Sequence, residues 1–249
     1  MKKLSVLLGL WVLVLANLAF ANAVATSVSG TVQVATGAAA PRLLRQGDTV
    51  RQGDTVSTGA GSSAVLKFED GQVAALTANS RLTVATFEYN AQAGTGSVLL
   101  SLLNGGMRAI TGLIGRNSPS RVTYRAGTAT IGIRGTDVTI VTSFGNVVVS
   151  VTEGLISFSF GGQTISVPAG QGVNAKTDGT FQQGAASQIA QQLQATPEGQ
   201  QMLNLLNGVQ GLEGVIGEAA TSPVNTTRSA TPNPSSPTGS TGGGNASTR

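Results

Sequence analysis

Arg45–Leu76 reads RQGDTVRQGDTVSTGAGSSAVLKFEDGQVAAL. The hexapeptide RQGDTV stands twice in succession. In each copy a Gly-Asp pair, Gly47-Asp48 and then Gly53-Asp54, forms a turn, and Thr-Val restarts an extended chain. Val65-Leu66-Lys67-Phe68 then runs into Glu69-Asp70-Gly71-Gln72. Asp-Gly tolerates positive φ, so a hairpin is expected there. This stretch is built of short β-runs cut by turn residues.

The same grammar extends outward. Val32 and Val34 alternate with Thr31 and Gln33, and Asn104-Gly105-Gly106, Phe144-Gly145-Asn146, Glu153-Gly154 and Gly161-Gly162 repeat the punctuation. Short strands at such intervals predict an all-β fold over residues 24–183: a sandwich, a roll or a solenoid. Abundant Gly and Ala favour thin, closely stacked coils, hence a solenoid-like β-roll. Past Gly184 the period changes. Ile189 and Leu193 stand four apart. Thr196-Pro197-Glu198 has the order of an N-cap, a first-turn proline and an early acid, and Met202, Leu203, Leu205, Leu206 and Val209 follow at helical spacing. Short helices are therefore expected over residues 184–220, capping an open end of the β-structure. Residues 221–249 are Ser, Thr, Pro, Gly and Asn with almost nothing apolar, a composition expected to stay disordered.

The N-terminus carries Lys2 and Lys3, an apolar run from Leu4, and Ala21-Asn22-Ala23 as a small-x-small site. That is the layout of a secretory signal peptide over residues 1–23, cut before Val24, and it places the mature chain in the periplasm or outside the cell. The chain contains neither Cys nor His. This excludes disulfides, thiolate nucleophiles, Cys-ligated metals and the commonest general base. No hydroxyl stands in a nucleophile motif, and Glu69-Asp70 is the only adjacent acidic pair. An enzyme is not expected, and no catalytic residue, cofactor site or metal site is assigned. Asp48 and Asp54 alone would make a thin shell for a cation. The formal charge of +4 misleads as well. Setting aside Lys2, Lys3, Arg228 and Arg249 leaves eleven basic against eleven acidic residues, so bulk charge gives nucleic-acid binding no support.

Ile131–Asp137 reads IGIRGTD. Ile131 and Ile133 share one face of a strand, and Thr130, Gly132, Arg134 and Thr136 share the other. Gly135 is expected to permit close backbone approach, and Arg134 to pair with Asp137 or Glu153. A phosphate-binding loop is disfavoured, because neither the GxxxxGK[ST] spacing nor a following helix is present. The order of RQGDTV, the Asp70-Gly71 hairpin, Arg134-Gly135-Thr136, GNVVVSVTEGLISF with Gly154, and VPAGQGV with Gly170 resembles the FecR domain, a bacterial envelope sensory module. The resemblance spans roughly Val28 to Lys176 and implies structural roles for Gly47, Asp48, Gly53, Asp54, Asp70, Gly71, Arg134, Gly135, Thr136, Gly154 and Gly170. It also implies a signalling or binding role. Family members include transmembrane regulators that sense an outer-membrane receptor and control a sigma factor. This sequence shows neither a cytoplasmic segment before the apolar N-terminus nor a receptor-contacting domain, so no direct sigma-factor contact is expected.

One asymmetry stands apart from the family pattern. Between Glu88 and Asp137 there is no acidic residue, yet Arg108, Arg116, Arg121, Arg125 and Arg134 all fall there. In Arg121–Arg125 the alternation sets both arginines on one face, about 13 Å apart, with Val122 and Tyr124 on the other. These five residues are a candidate anion- or partner-binding face for an envelope protein, an acidic glycan or a lipid phosphate. The competing expectation is that they pair with acids elsewhere in the fold. A structural or adhesive envelope scaffold is the alternative to a sensory module.

Overall fold

The computed structural model describes residues 22–221. Of the signal sequence read in 1–23 and the Ser/Thr/Pro/Gly tail read in 221–249, all but Asn22, Ala23 and Thr221 lie outside the described residues. In chain order the strands are β1 (Asn22–Ser29), β2 (Val32–Thr36), β3 (Arg42–Leu43), β4 (Thr49–Arg51) and β5 (Asp54–Thr58). There follow β6 (Ser63–Phe68), β7 (Val73–Leu76), β8 (Arg81–Asn90), β9 (Thr95–Ile110) and β10 (Val122–Ala126). The last are β11 (Ala129–Ser143), β12 (Asn146–Phe160), β13 (Gln163–Pro168), β14 (Gln171–Ala175) and β15 (Phe181–Ala185). A short helix α1 (Leu113–Asn117) precedes β10, and α2 (Ala186–Leu193), α3 (Pro197–Gln210) and α4 (Glu213–Thr221) follow β15.

All fifteen strands belong to one continuous, unclosed sheet that doubles back on itself. Three long strands, β9, β11 and β12, make the fold by serving two halves in turn. Their segments nearer the bends' far side pair as β14–β12–β11–β9–β7–β6–β1–β4, with β15 outside β14. Their other segments pair as β13–β12–β11–β10–β9–β8–β5–β2–β3. Only β9–β10 is parallel among the described pairings. The doubled-over antiparallel sheet is thus sandwich-like, and the parallel coil-on-coil stacking of a solenoid is not what the pairing shows.

Glycine sets the bend between halves. Gly135 in β11 has φ 59° and Gly154 in β12 has φ 79°, both in the left-handed region that L side chains rarely adopt. The β11–β12 register slips here, between Arg134 and Asp137. A Cβ on Gly154 would stand 2.1 Å from the Gly135 carbonyl oxygen, whereas one on Gly135 would meet nothing within 4 Å. The close approach expected of Gly135 therefore belongs to Gly154, and Gly135 is required for its dihedral alone.

Alternation then sorts the side chains. Val56, Leu82, Leu100, Tyr124, Ile131 and Phe158 of one half face Ala25, Leu66, Phe68, Met107, Ile140 and Val149 of the other in a single buried core. Phe68 and Phe87 stack across the layers with centroids 4.8 Å apart. The second half buries its outer face too. Val141 and Val148 lie under Ile189, Leu193, Met202 and Leu206 of α2 and α3, and Val65, Val73 and Ala75 lie under Ile216 and Ala219 of α4. The helices therefore cover a sheet face instead of capping an end. Such continuous apolar runs as Val147-Val148-Val149 are the signature of a strand buried on both sides. The expected α3 start is correct, since Thr196 Oγ1 accepts from Gly199 N–H at 3.1 Å. Lys67 reaches through this layer and donates to the Ala219 and Ala220 carbonyls at the end of α4, which favours a cation at a helix C-terminus.

The doubled RQGDTV acts twice in the same way and delivers its strands to different halves. Asp48 accepts from Arg45 N–H at 3.0 Å and Asp54 from Arg51 N–H at 2.8 Å, while Gly47 and Gly53 take φ 89° and 87°. β4 then pairs with β1 in the covered half, and β5 with β2 and β8 in the other. Turn architecture accounts for both aspartates, and no cluster of acidic residues among the described residues could hold a metal ion. At the N-terminus, the expected cut between Ala23 and Val24 falls inside β1, where Ala23 is buried opposite Val50 and Phe68.

Candidate ligand-binding face

The outer face of the first half is open. Register places Thr55, Thr83, Ser101, Arg125, Thr130, Ser159 and Thr164 in one rank across β5, β8, β9, β10, β11, β12 and β13. At about 4.8 Å per strand the rank is roughly 29 Å long. Its ends are self-satisfied: Thr55 and Thr83 hydroxyls lie 2.9 Å apart, and those of Ser159 and Thr164 2.8 Å. Its middle is not. The hydroxyls of Ser101 and Thr130 bond to no other described residue.

A second rank, Thr123, Gly132, Ser157 and Ser166, runs beside it. A Cβ on Gly132 would stand 2.4 Å from Ser157 Oγ, so this glycine lowers the floor between two hydroxyl-bearing strands. A groove of about 440 Å³ lies there, lined by these residues together with Pro119, Ser120, Arg134 and Leu155.

The arginines divide by position. Arg121, Arg125 and Arg134 are exposed, and none makes an ion pair or side-chain hydrogen bond with a described residue. Val122 and Tyr124 are buried between them, as the alternation requires. Arg121 closes the 3-10 turn Pro119–Arg121 that leads into β10, and Arg134 continues β11 past its last pairing with β10. Arg134 thus bonds neither Asp137 nor Glu153, contrary to expectation.

Arg108 is a correction to the sequence reading. It lies on the covered face, where it holds Asp137 through two hydrogen bonds, Nε–Oδ1 at 2.8 Å and Nη2–Oδ2 at 2.6 Å, and also pairs with Glu213 of α4. Asp137 and Glu213 hold its guanidinium in the charged form, raising its pKa further above the ordinary range. This residue pins a helix to the sheet and contributes nothing to the open face. Arg116 stands exposed on α1, near Asp70.

Asp70, read as a hairpin residue, does more than turn the chain. It is buried, accepts from Gln72 N–H at 3.0 Å, and its other oxygen faces Ile114 N–H at 3.4 Å, which fixes α1. Tyr124 O–H donates to Gln72 Oε1 at 2.9 Å in the same cluster. Burial raises the Asp70 pKa above 3.8, against the opposing effects of its backbone hydrogen bonds and of Arg116. The folded chain then holds this proton more tightly than the unfolded chain. Stability from this group is full below the unfolded value and falls as pH rises through the folded one. Compared with the wild type, Asp70→Asn should lose that fall in stability as pH rises above about 4 in urea unfolding. Parallel stability–pH curves for the two proteins would refute the assignment. Gly71 and Gly170 take left-handed turns, and Thr136 is buried with its N–H on Thr111 Oγ1.

No curated protein matches the chain. Two solved structures of a candidate anti-sigma factor from Parabacteroides distasonis are similar. One is 15% identical with a TM-score of 0.45, covering 53% of this chain and 59% of that one. The other is 14% identical with a TM-score of 0.46, covering 57% of this chain and 65% of that one. This chain therefore spans less than two thirds of the length of either. Residues 54–157 match the model of the FecR protein family. That span runs from the second RQGDTV turn through the bend at Gly135 and Gly154, so the similarity to the FecR protein family lies in the central segment of the chain.

Proposed function

We propose that this chain is a non-enzymatic, exported envelope module of the signalling type, and that it binds its partner on the open sheet face. The observation that carries the reading is the contrast between the two outer faces. One is covered by the chain's own helices and holds its arginine in an ion pair. The other presents three arginines with no ion-pair partner among the described residues, on a hydroxyl-lined surface. The similarity of residues 54–157 to the FecR protein family supports a signalling role, and the Lys-Lys leader supports export. An envelope protein, an acidic glycan and a lipid phosphate all fit such a face.

The test is the double variant Arg121→Gln, Arg125→Gln, crosslinked in cells and compared with wild type for what the envelope fraction yields. Capture should fall roughly tenfold, the weight of a lost charge-assisted contact. The melting temperature should stay within about 2 °C, since exposed substitutions cost within about 0.5 kcal/mol. Equal capture by both proteins would leave a scaffold or adhesive role instead. Recovery of the chain from the cytosol would remove export from the proposal.

A further inference from the structure

We infer that the open face takes a linear acidic polysaccharide, laid across the strands with its acid groups on Arg121, Arg125 and Arg134 and its hydroxyls on Ser101, Thr123 and Thr130. This rests on the reading of the open face as the binding surface and names the class of ligand.

Four observations favour a glycan over the other anions. First, the unbonded groups form a line. Ser101, Arg125 and Thr130 stand side by side on three neighbouring strands over roughly 10 Å, inside a hydroxyl rank that continues on both sides, and such a row suits a polymer better than a single headgroup. Second, the polar groups are mixed. Arginines supply only donors, whereas hydroxyls both donate and accept, and the unsatisfied hydroxyls of Ser101, Thr123 and Thr130 lie among the arginines. A polymer bearing both acids and hydroxyls matches that mixture, and a bare phosphate leaves the hydroxyls unused. Third, the rank carries no aromatic side chain, whereas protein interfaces centre on aromatic anchors; the leucines near it, Leu99 and the exposed Leu103, stand on β9 to either side of Ser101. Fourth, Gly132 lowers the floor of the groove where a ring would sit, because any side chain there would meet Ser157 Oγ.

The charges also explain why the ligand must be acidic. Arg121, Arg125 and Arg134 are exposed with no carboxylate partner among the described residues, so acid groups supply the missing counter-charge. Arg121 closes the turn before β10, Arg125 projects from β10 and Arg134 from β11, so successive acid groups of one polymer meet different arginines.

The experiment titrates the full exported chain with polygalacturonate, dextran sulfate and neutral dextran. Polyglutamate and phosphatidylglycerol vesicles serve as the protein-like and lipid arms. Polygalacturonate or dextran sulfate should bind saturably and weaken with salt, because screening reaches about 8 Å at 0.15 M. Neutral dextran should not bind. Arg121→Gln, Arg125→Gln, Arg134→Gln should weaken binding at least roughly tenfold. Ser101→Ala with Thr130→Val should weaken it roughly threefold, the scale of a neutral hydrogen bond, with the salt dependence unchanged. Polyglutamate or vesicles bound as tightly as the glycans, or no effect of removing the hydroxyls, would overturn the glycan while leaving the face as the binding surface. Loss of none of these affinities in the triple arginine variant, together with unchanged envelope capture by the Arg121, Arg125 double variant, would overturn both.

Discussion

Gly154→Ala should cost about 4 kcal/mol or more, enough to unfold a marginal domain. Two effects combine. The residue holds φ 79°, a conformation that costs an L side chain roughly 1–2 kcal/mol. Its Cβ would also stand 2.1 Å from the Gly135 carbonyl oxygen, and that atom is backbone and cannot rotate away. β11 and β12 must then separate where both cross from one half of the sheet to the other. Gly135→Ala is the informative control. It has φ 59° with nothing within 4 Å of the added atom, so only the dihedral cost of about 1–2 kcal/mol applies. Thermal melting of the two variants reads the difference. Equal losses would show that the close approach at Gly154 contributes nothing.

Arg108→Met should cost about 3–5 kcal/mol, a fall of roughly 10 °C in melting temperature. Arg108 and Asp137 side chains are each only 11% exposed. Removing the guanidinium strands a carboxylate where water barely reaches it. The pair itself need not stabilise the fold, because desolvating both ions offsets most of their attraction. The double variant Arg108→Met, Asp137→Leu should therefore recover much of the loss. Glu213 is 61% exposed, so Glu213→Gln should cost under about 1 kcal/mol and loosen only the start of α4. A melting temperature unchanged in Arg108→Met would contradict the buried pair.

Arg108 also shows where reading along the chain fails. In sequence it belongs to the same acid-free run as Arg121, Arg125 and Arg134, and nothing local distinguishes it. Its partners lie 29 residues away on β11 and beyond β15 on α4, and only register brings them together. Arg125 follows a local rule, since a strand with Tyr124 and Ala126 buried must turn it outward; Arg121, expected on the same strand, instead closes a 3-10 turn before β10. The crossing ranks of Ser and Thr were not legible. They join residues as far apart as Thr55 and Thr164, and each looked like an ordinary solvent-facing position of its own strand.

Local chemistry along the chain is enough to set the strands, their turns and the change to helix after Gly184. Gly-Asp and Asp-Gly set local dihedrals, and the apolar period sets which side chains are buried, and both act over a few residues. The start of α3 was fixed in the same way by Thr196. Long-range packing settles the rest: sheet order, the bend that lets β9, β11 and β12 serve both halves, the face the helices cover, and which arginines find acids. Two identical RQGDTV copies make identical turns yet send β4 and β5 to opposite halves. The backbone conformation is a property of the hexapeptide, whereas the partner strand is chosen by burying the most apolar surface across the whole chain.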